Sequence, residues 1–259
     1  MFDQGSGPPV VVVPGLQGRW EWARPALKRL AANCRTISYS LSGDFGSGRT
    51  VRRDPGFDAY VRQLDEVFET AGVTRGVLCG VSFGGFVALK FAALRPERVS
   101  ALILASAPGP GWRPTPQQSA WIARPWWSAP EFVLSSPLRL WPEISAAFPA
   151  VGSRLGFLAR QGLRCAAAPM IPPLMASRIR TAAGMDFETD CRRICAPTLI
   201  VTGEEALDRV VPVHSTRVYA SLIPGAEYRK MPHTGHMGLL TQPSAFAELV
   251  SGFAHAHHH

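Results

Sequence analysis

Gly80-Val81-Ser82-Phe83-Gly84-Gly85 is the stretch on which the reading of this chain turns. An apolar run, Gly76-Val77-Leu78-Cys79, leads into it, and Phe86 to Leu94 leaves it at helical length and spacing, so the hexapeptide joins a strand to a helix. So sharp a turn strains the serine backbone and needs neighbours without side chains, which Gly80 and Gly84 supply. The serine hydroxyl then stands exposed, as a nucleophile must. Taken alone, Gly-x-Ser-x-Gly also fits an ordinary glycine-rich turn, and the surrounding chain separates the two readings.

Working outward, short apolar runs alternate with helix-period segments. Val10 to Val13 reads as a buried strand, Trp22 to Leu30 as a helix with Pro25 tolerated near its start, and Thr36 to Leu41 as the next strand. Phe57, Tyr60, Val61, Leu64, Val67 and Phe68 recur at helical spacing ahead of the strand that delivers Ser82, and Ala101 to Ala105 continues the sheet. The expected fold is therefore α/β, a mostly parallel central sheet flanked by helices. From Pro108 to Met185 the rhythm stops: this stretch holds 12 of the 23 prolines and five of the seven tryptophans, with short helical pieces and no strand pattern. Pro197 to Val201, Val213 to Leu222, Tyr228 to Met231 and a closing helix bearing Phe246, Leu249, Val250 and Phe253 then resume it. This divides the chain into a core, residues 1–107 and 186–254, a helical cap or lid, 108–185, and a histidine-rich tail, 255–259, left out of the functional argument.

Composition removes several classes of function. At 259 residues and 46% hydrophobic the chain can bury a sizeable core, yet no apolar run approaches the roughly 18 residues that span a bilayer. Met1 to Gly5 has neither a basic head nor an apolar stretch behind it, and the expectation is a cytoplasmic protein. Five cysteines, an odd number, fit reduced thiols, and the Cys191/Cys195 pair lacks the second pair that a four-ligand zinc site wants. The net charge of +8 invites a nucleic-acid partner, but only three of the 27 basic residues are lysine and no long basic run occurs. Eight arginines against two glutamates fall between Pro108 and Met185, which reads either as a solvated basic surface or as an entrance for acidic substrates.

A serine hydroxyl needs a base within hydrogen-bond reach and a third group to hold that base. His236, in Pro232-His233-Thr234-Gly235-His236, follows the last strand, and Asp208, four residues before Pro212, lies in the loop leaving the strand before it. All three groups then emerge on one rim of a parallel sheet, in the chain order Ser, Asp, His.

On these motifs the chain resembles the α/β-hydrolases over essentially its whole length outside the 108–185 segment. The elbow Gly80 to Gly84, the acid Asp208 ahead of Pro212 and the pair Gly235-His236 each match a family feature in order. The resemblance implies an oxyanion hole made by the backbone N–H groups of Phe83 and Leu16, the latter in Val13-Pro14-Gly15-Leu16-Gln17-Gly18, where Pro14 stands in place of the family's usual histidine. Asp208 lies five residues beyond Gly203 where three is usual, leaving Glu204 and Glu205 as rival acids, and His233 as a rival base; His214 reads as structural. Tyr39 to Ser47 resembles the family's glycine-rich loop, with Ser40 where aspartate is common. The implied activity is a carboxylesterase-like serine hydrolase acting through an acyl-serine on a small or medium ester, with no metal or organic cofactor. Lactone opening, carbon–carbon bond hydrolysis, amide or peptide cleavage and acyl transfer remain open on the same triad. A non-catalytic ligand-binding protein on the same scaffold is the alternative of another class.

Overall fold

The computed structural model describes residues 1–45, 47 and 56–258. Seven strands form one sheet: β1 Phe2–Gln4, β2 Pro9–Val13, β3 Arg35–Ser38, β4 Gly76–Val81, β5 Val99–Ala105, β6 Thr198–Thr202 and β7 Glu227–Lys230. Their order in space is β1-β3-β2-β4-β5-β6-β7, with β1 antiparallel to β3 and the remaining pairs parallel. The chain steps from β2 outward to β3 and returns on the other side of β2 with β4. The order reverses there, and the carboxyl ends of β2 and β4 flank the crevice where open parallel sheets place their sites.

Eleven α-helices accompany the described strands. On the two sheet faces and at its edges lie α1 Arg24–Leu30, α2 Asp58–Thr70, α3 Phe83–Leu94, α8 Phe187–Arg192, α9 Val213–Leu222, α10 Gly238–Thr241 and α11 Pro243–His257. Four more, α4 Pro116–Ala123, α5 Pro125–Ala147, α6 Val151–Ala167 and α7 Pro172–Ala183, intervene with α8 between β5 and β6.

Side-chain alternation splits the core into two layers. Val11, Val13, Leu78, Leu102 and Leu104 point into the layer beneath α2 and α3, where Leu64, Phe68 and Phe91 pack. Val10, Val12, Val77, Cys79, Ala101 and Ile103 point the other way, onto α1 and α11 through Leu27, Leu30, Phe246 and Val250. Both faces are covered, so β4 and β5 are buried from end to end and read as continuous apolar runs.

The helix expected over Trp22 to Leu30 is a 3₁₀ turn, Trp20–Ala23, followed by α1, with Pro25 in the first helical turn. Strand β1 had no signal in the sequence, being three residues long with only Phe2 buried. The Pro-rich stretch is more regular than its composition implies: α5 runs 23 residues through Pro130, Pro137 and Pro142. α11 runs on into the histidine-rich tail as far as His257, and the His255 ring bonds the Asn33 carbonyl oxygen at 2.9 Å; His259 lies outside the described residues.

Candidate active site

Ser82 sits between β4 and α3 with φ 52° and ψ −122°, a backbone conformation that costs an L-residue energy and is held only by its surroundings. Its N–H donates to the Ala105 carbonyl at 2.9 Å, fixing the turn to the neighbouring strand. A Cβ on Gly84 would lie 2.4 Å from the Val13 carbonyl oxygen and 2.6 Å from that of Pro14, so only glycine lets the elbow press on the loop after β2. That loop crosses the serine, since a Cβ on Gly15 would come within 3.4 Å of the Ser82 Cβ. Phe83 opens α3, where a backbone N–H has no intrahelical acceptor, and Leu16 follows Gly15.

His236 presents Nε2 to the Ser82 Oγ at 3.1 Å. On the other side of the ring Nδ1 lies 3.5 Å from Asp208 Oδ2, an ion-pair distance rather than a tight hydrogen bond. The two loops meet at glycines: a Cβ on Gly203 would collide with the Thr234 and Gly235 carbonyl oxygens, and one on Gly235 with that of Leu207. The long spacing from Gly203 to Asp208 has a local cause. Residues 204–208 form one helical turn, closed by the Asp208 N–H on the Glu204 carbonyl at 3.0 Å, and this turn carries the acid to the imidazole. Asp208 Oδ1 then accepts the N–H groups of Val210 and Val211, each at 2.9 Å, leaving Oδ2 to the histidine.

Burial works to raise the Asp208 carboxyl, but the facing imidazole and the two backbone donors outweigh it and hold the group below its usual range. For His236 burial works downward, and the negative charge of Asp208 facing Nδ1, together with that of Glu143, turns the balance, leaving the imidazole above its usual value. Its side chain is 13% exposed, so it is sheltered without being sealed.

The rival groups face elsewhere. Glu204 Oε1 accepts the His233 N–H at 2.8 Å, Glu205 lies 3.4 Å from His214 at the surface, and the His233 side chain is exposed. Two further residues near the site were not legible in the sequence. Glu143 of α5, 1% exposed, accepts the Met237 N–H next to His236 at 2.9 Å. Arg178 of α7, fully buried rather than part of a basic surface, donates to the Leu16 carbonyl at 2.8 Å and pairs with Asp44. Asp44 thus explains part of the glycine-rich loop read over Tyr39 to Ser47, of which Gly46 lies outside the described residues. Cys191 is buried and Cys195 exposed, and among the described residues no three metal-binding side chains gather. No helix among those residues is long and apolar enough to cross a membrane.

Residues 10–249 match the model of the Alpha/beta hydrolase family. The "Putative carbamate hydrolase RutD" of Klebsiella pneumoniae (strain 342) is 28% identical over 252 residues, covering 94% of this chain and 90% of that protein. The 2-hydroxymuconate semialdehyde hydrolase of Pseudomonas putida is 27% identical over 270 residues, 98% of this chain and 89% of its own. Among solved structures, an esterase from Exiguobacterium antarcticum superposes with a TM-score of 0.77 at 22% identity, over 98% of this chain and 94% of that one, a likeness of fold. With the elbow at Ser82, the mostly parallel seven-stranded sheet and a family match that spans nearly its whole length, the chain belongs to the alpha/beta hydrolase family.

Proposed function

We propose that the protein is a serine hydrolase that cleaves a small or medium carboxylic ester through an acyl-serine intermediate. The observation that carries this reading is the contact of 3.1 Å between His236 Nε2 and Ser82 Oγ, with Asp208 on the opposite ring nitrogen. His236 takes the Ser82 proton as the oxygen attacks the ester carbonyl carbon, and the carbonyl π electrons move onto oxygen. The N–H groups of Leu16 and Phe83 stabilise that oxyanion, a contribution of about 3 to 4 kcal/mol per donor in the transition state. Collapse expels the alkoxide, which His236 protonates, and the resulting acyl-serine is hydrolysed by water activated at the same imidazole. Asp208 holds the ring in the tautomer that leaves Nε2 free and stabilises the imidazolium as it forms.

Residues 1–107 and 186–254 make up the catalytic core in this reading, and 108–185 a cap that shapes the pocket. The relatives carry hydrolase names of different bond types, a carbamate hydrolase and a semialdehyde hydrolase beside an esterase, so substrate choice belongs to the cap rather than to the triad.

A fluorophosphonate probe followed by an ester panel tests the assignment. The wild-type protein is expected to be labelled at Ser82, and Ser82→Ala and His236→Ala to lose at least about a thousandfold in kcat with the fold intact. Asp208→Asn should cost far more than Glu204→Gln or Glu205→Gln. Retention of a tenth of the rate, about 1.4 kcal/mol in barrier, by either of the first two variants would contradict the assignment.

A further inference from the structure

Glu143 holds the loop of the base from both sides. Its Oε2 accepts the Met237 N–H at 2.9 Å, its Oε1 the Thr241 hydroxyl at 2.9 Å, and the Gly235 N–H bonds the same carboxylate. Gly235 precedes His236, Met237 follows it, and Thr241 ends α10. Three donors converge on a buried acceptor, a setting that suits the ionised form although burial pushes the carboxyl up. The charges that act on His236 are Asp208, from the loop after β6, and Glu143, from α5; Glu204 is engaged by His233, Glu205 faces His214, and α10 carries no titratable side chain.

We propose that Glu143 is a positioning residue for His236, clamping the backbone on both sides of the imidazole and adding a second negative charge to that of Asp208. Because Glu143 belongs to α5 and not to a strand loop, the seating of that helix and the readiness of the base become one property. The proposal rests on the hydrolase reading above.

Glu143→Gln separates the charge from the hydrogen bonds. The amide oxygen keeps the two N–H donors, and the amide NH₂ meets Thr241 Oγ1, whose proton turns to the Met237 carbonyl oxygen already 3.2 Å away. Glu143→Ala removes both, and Glu131→Gln, at an exposed position on the same helix, serves as control. The measurement is the pH dependence of Ser82 labelling by a fluorophosphonate. In Glu143→Gln the acid limb should move to lower pH, with a plateau within about threefold of wild type. In Glu143→Ala the plateau should fall by about 10- to 100-fold, the scale of a misplaced catalytic group. An acid limb shared by wild type and Glu143→Gln, or a wild-type plateau in Glu143→Ala, overturns the proposal. Absence of labelling in the wild type fails the hydrolase reading instead, and the His236 imidazole titration followed by NMR then decides: a lower midpoint in Glu143→Gln supports the proposal and an unchanged one overturns it.

A different observation concerns the outer face of the same helix. Nine of the thirteen large apolar side chains exposed among the described residues belong to α5 and α6. Leu134 stands nine residues before Glu143, half a turn beyond two full turns at about 100° per residue, and Trp127, Leu138 and Trp141 cluster around the same direction, away from His236. On α6 the exposed Val151, Leu155 and Leu163 form a second stripe, with Arg154 and Arg160 on its flanks. Setting aside the buried Arg178, paired with Asp44, and the buried Glu143, residues 108–185 leave seven arginines against the single exposed Glu131.

We infer that this face docks on an anionic lipid surface. Tryptophan and leucine beside arginine fit the boundary between headgroups and acyl chains, while two copies meeting here would oppose like charge. The test is co-sedimentation with phosphatidylglycerol-containing vesicles against pure phosphatidylcholine. Binding to the anionic vesicles alone, weakened by salt and reduced at least about tenfold by joint Trp127→Ser, Leu134→Ser and Leu138→Ser substitution, is expected. Equal binding to both vesicles, none to either, or a concentration-dependent dimer abolished by the same substitutions overturns it.

Discussion

Every residue of β4 and β5 is buried, whereas α5 buries only Glu143 and Ile144 among its 23 residues. The strands are gripped by apolar side chains from two helical layers, and Ser82 inherits its position from that packing. The helices α4 to α7 bury far fewer apolar side chains and are fastened in part by polar links. Arg178 reaches the Leu16 carbonyl, Glu143 the loop around His236, and the Trp22 indole N–H the Ala168 carbonyl at 2.8 Å. Apolar area holds the sheet together, and α4 to α7, which add only a few buried apolar side chains such as Ile144, Phe157 and Met175, lean on polar links as well. The first kind of attachment fails gradually as atoms are removed; the second fails at single residues.

The largest expected loss therefore comes from one polar link. Arg178→Met leaves the Asp44 carboxylate buried without its partner, and breaking a buried ion pair on one side costs about 3 to 5 kcal/mol. Burial already pushes the Asp44 carboxyl up, with Arg178 as the chief opposing influence, so the variant should also become more sensitive to rising pH as that carboxyl is forced to ionise. The double variant Arg178→Met with Asp44→Leu should recover most of the stability in urea unfolding. A single variant as stable as wild type would show that the link carries no weight.

Next in size is the sheet. Leu78→Ala, in a fully buried strand flanked on both faces, should cost about 2 to 5 kcal/mol through lost burial and the cavity left behind. Ester turnover measured beside the melts of Leu78→Ala and Arg178→Met sharpens the contrast, because only the latter should also lower kcat in the protein that remains folded, Arg178 being hydrogen-bonded to the loop that carries Leu16.

What the sequence disclosed follows the same division. Strands buried on both faces announce themselves as apolar runs, and the elbow announces itself through glycines that a close approach demands, so β2, β4, β5 and β6 and the Ser82 turn were legible. His236 and Asp208 were legible because each follows a strand. Glu143 and Arg178 were not: neither lies in a motif, Arg178 being one of eight arginines in a proline-rich, tryptophan-rich stretch, and only the folded chain shows that their partners lie 94 and 162 residues away. The same holds for the helical turn at residues 204–208, whose i to i+4 bond leaves no mark in composition. In sequence the arginines of that stretch read as a solvated basic surface or an entrance for acidic substrates; in the fold Arg178 is buried and Arg139 stacks over the rings of Trp121 and Phe132.

The smallest effect is expected where the comparison is most lopsided. Leu134 is 76% exposed, so Leu134→Ser removes almost no buried area and, away from caps and turns, should alter unfolding free energy by less than about 0.5 kcal/mol. The same leucine-to-polar exchange at Leu78 would bury an unpaired hydroxyl in addition to opening a cavity. Two leucines in one chain thus answer to opposite rules, one read out by urea and one silent to it. If Leu134→Ser instead destabilises the isolated protein by the amount expected of a core leucine, the outer face of α5 is covered in solution, and the contrast between an area-held sheet and a link-held set of helices no longer stands.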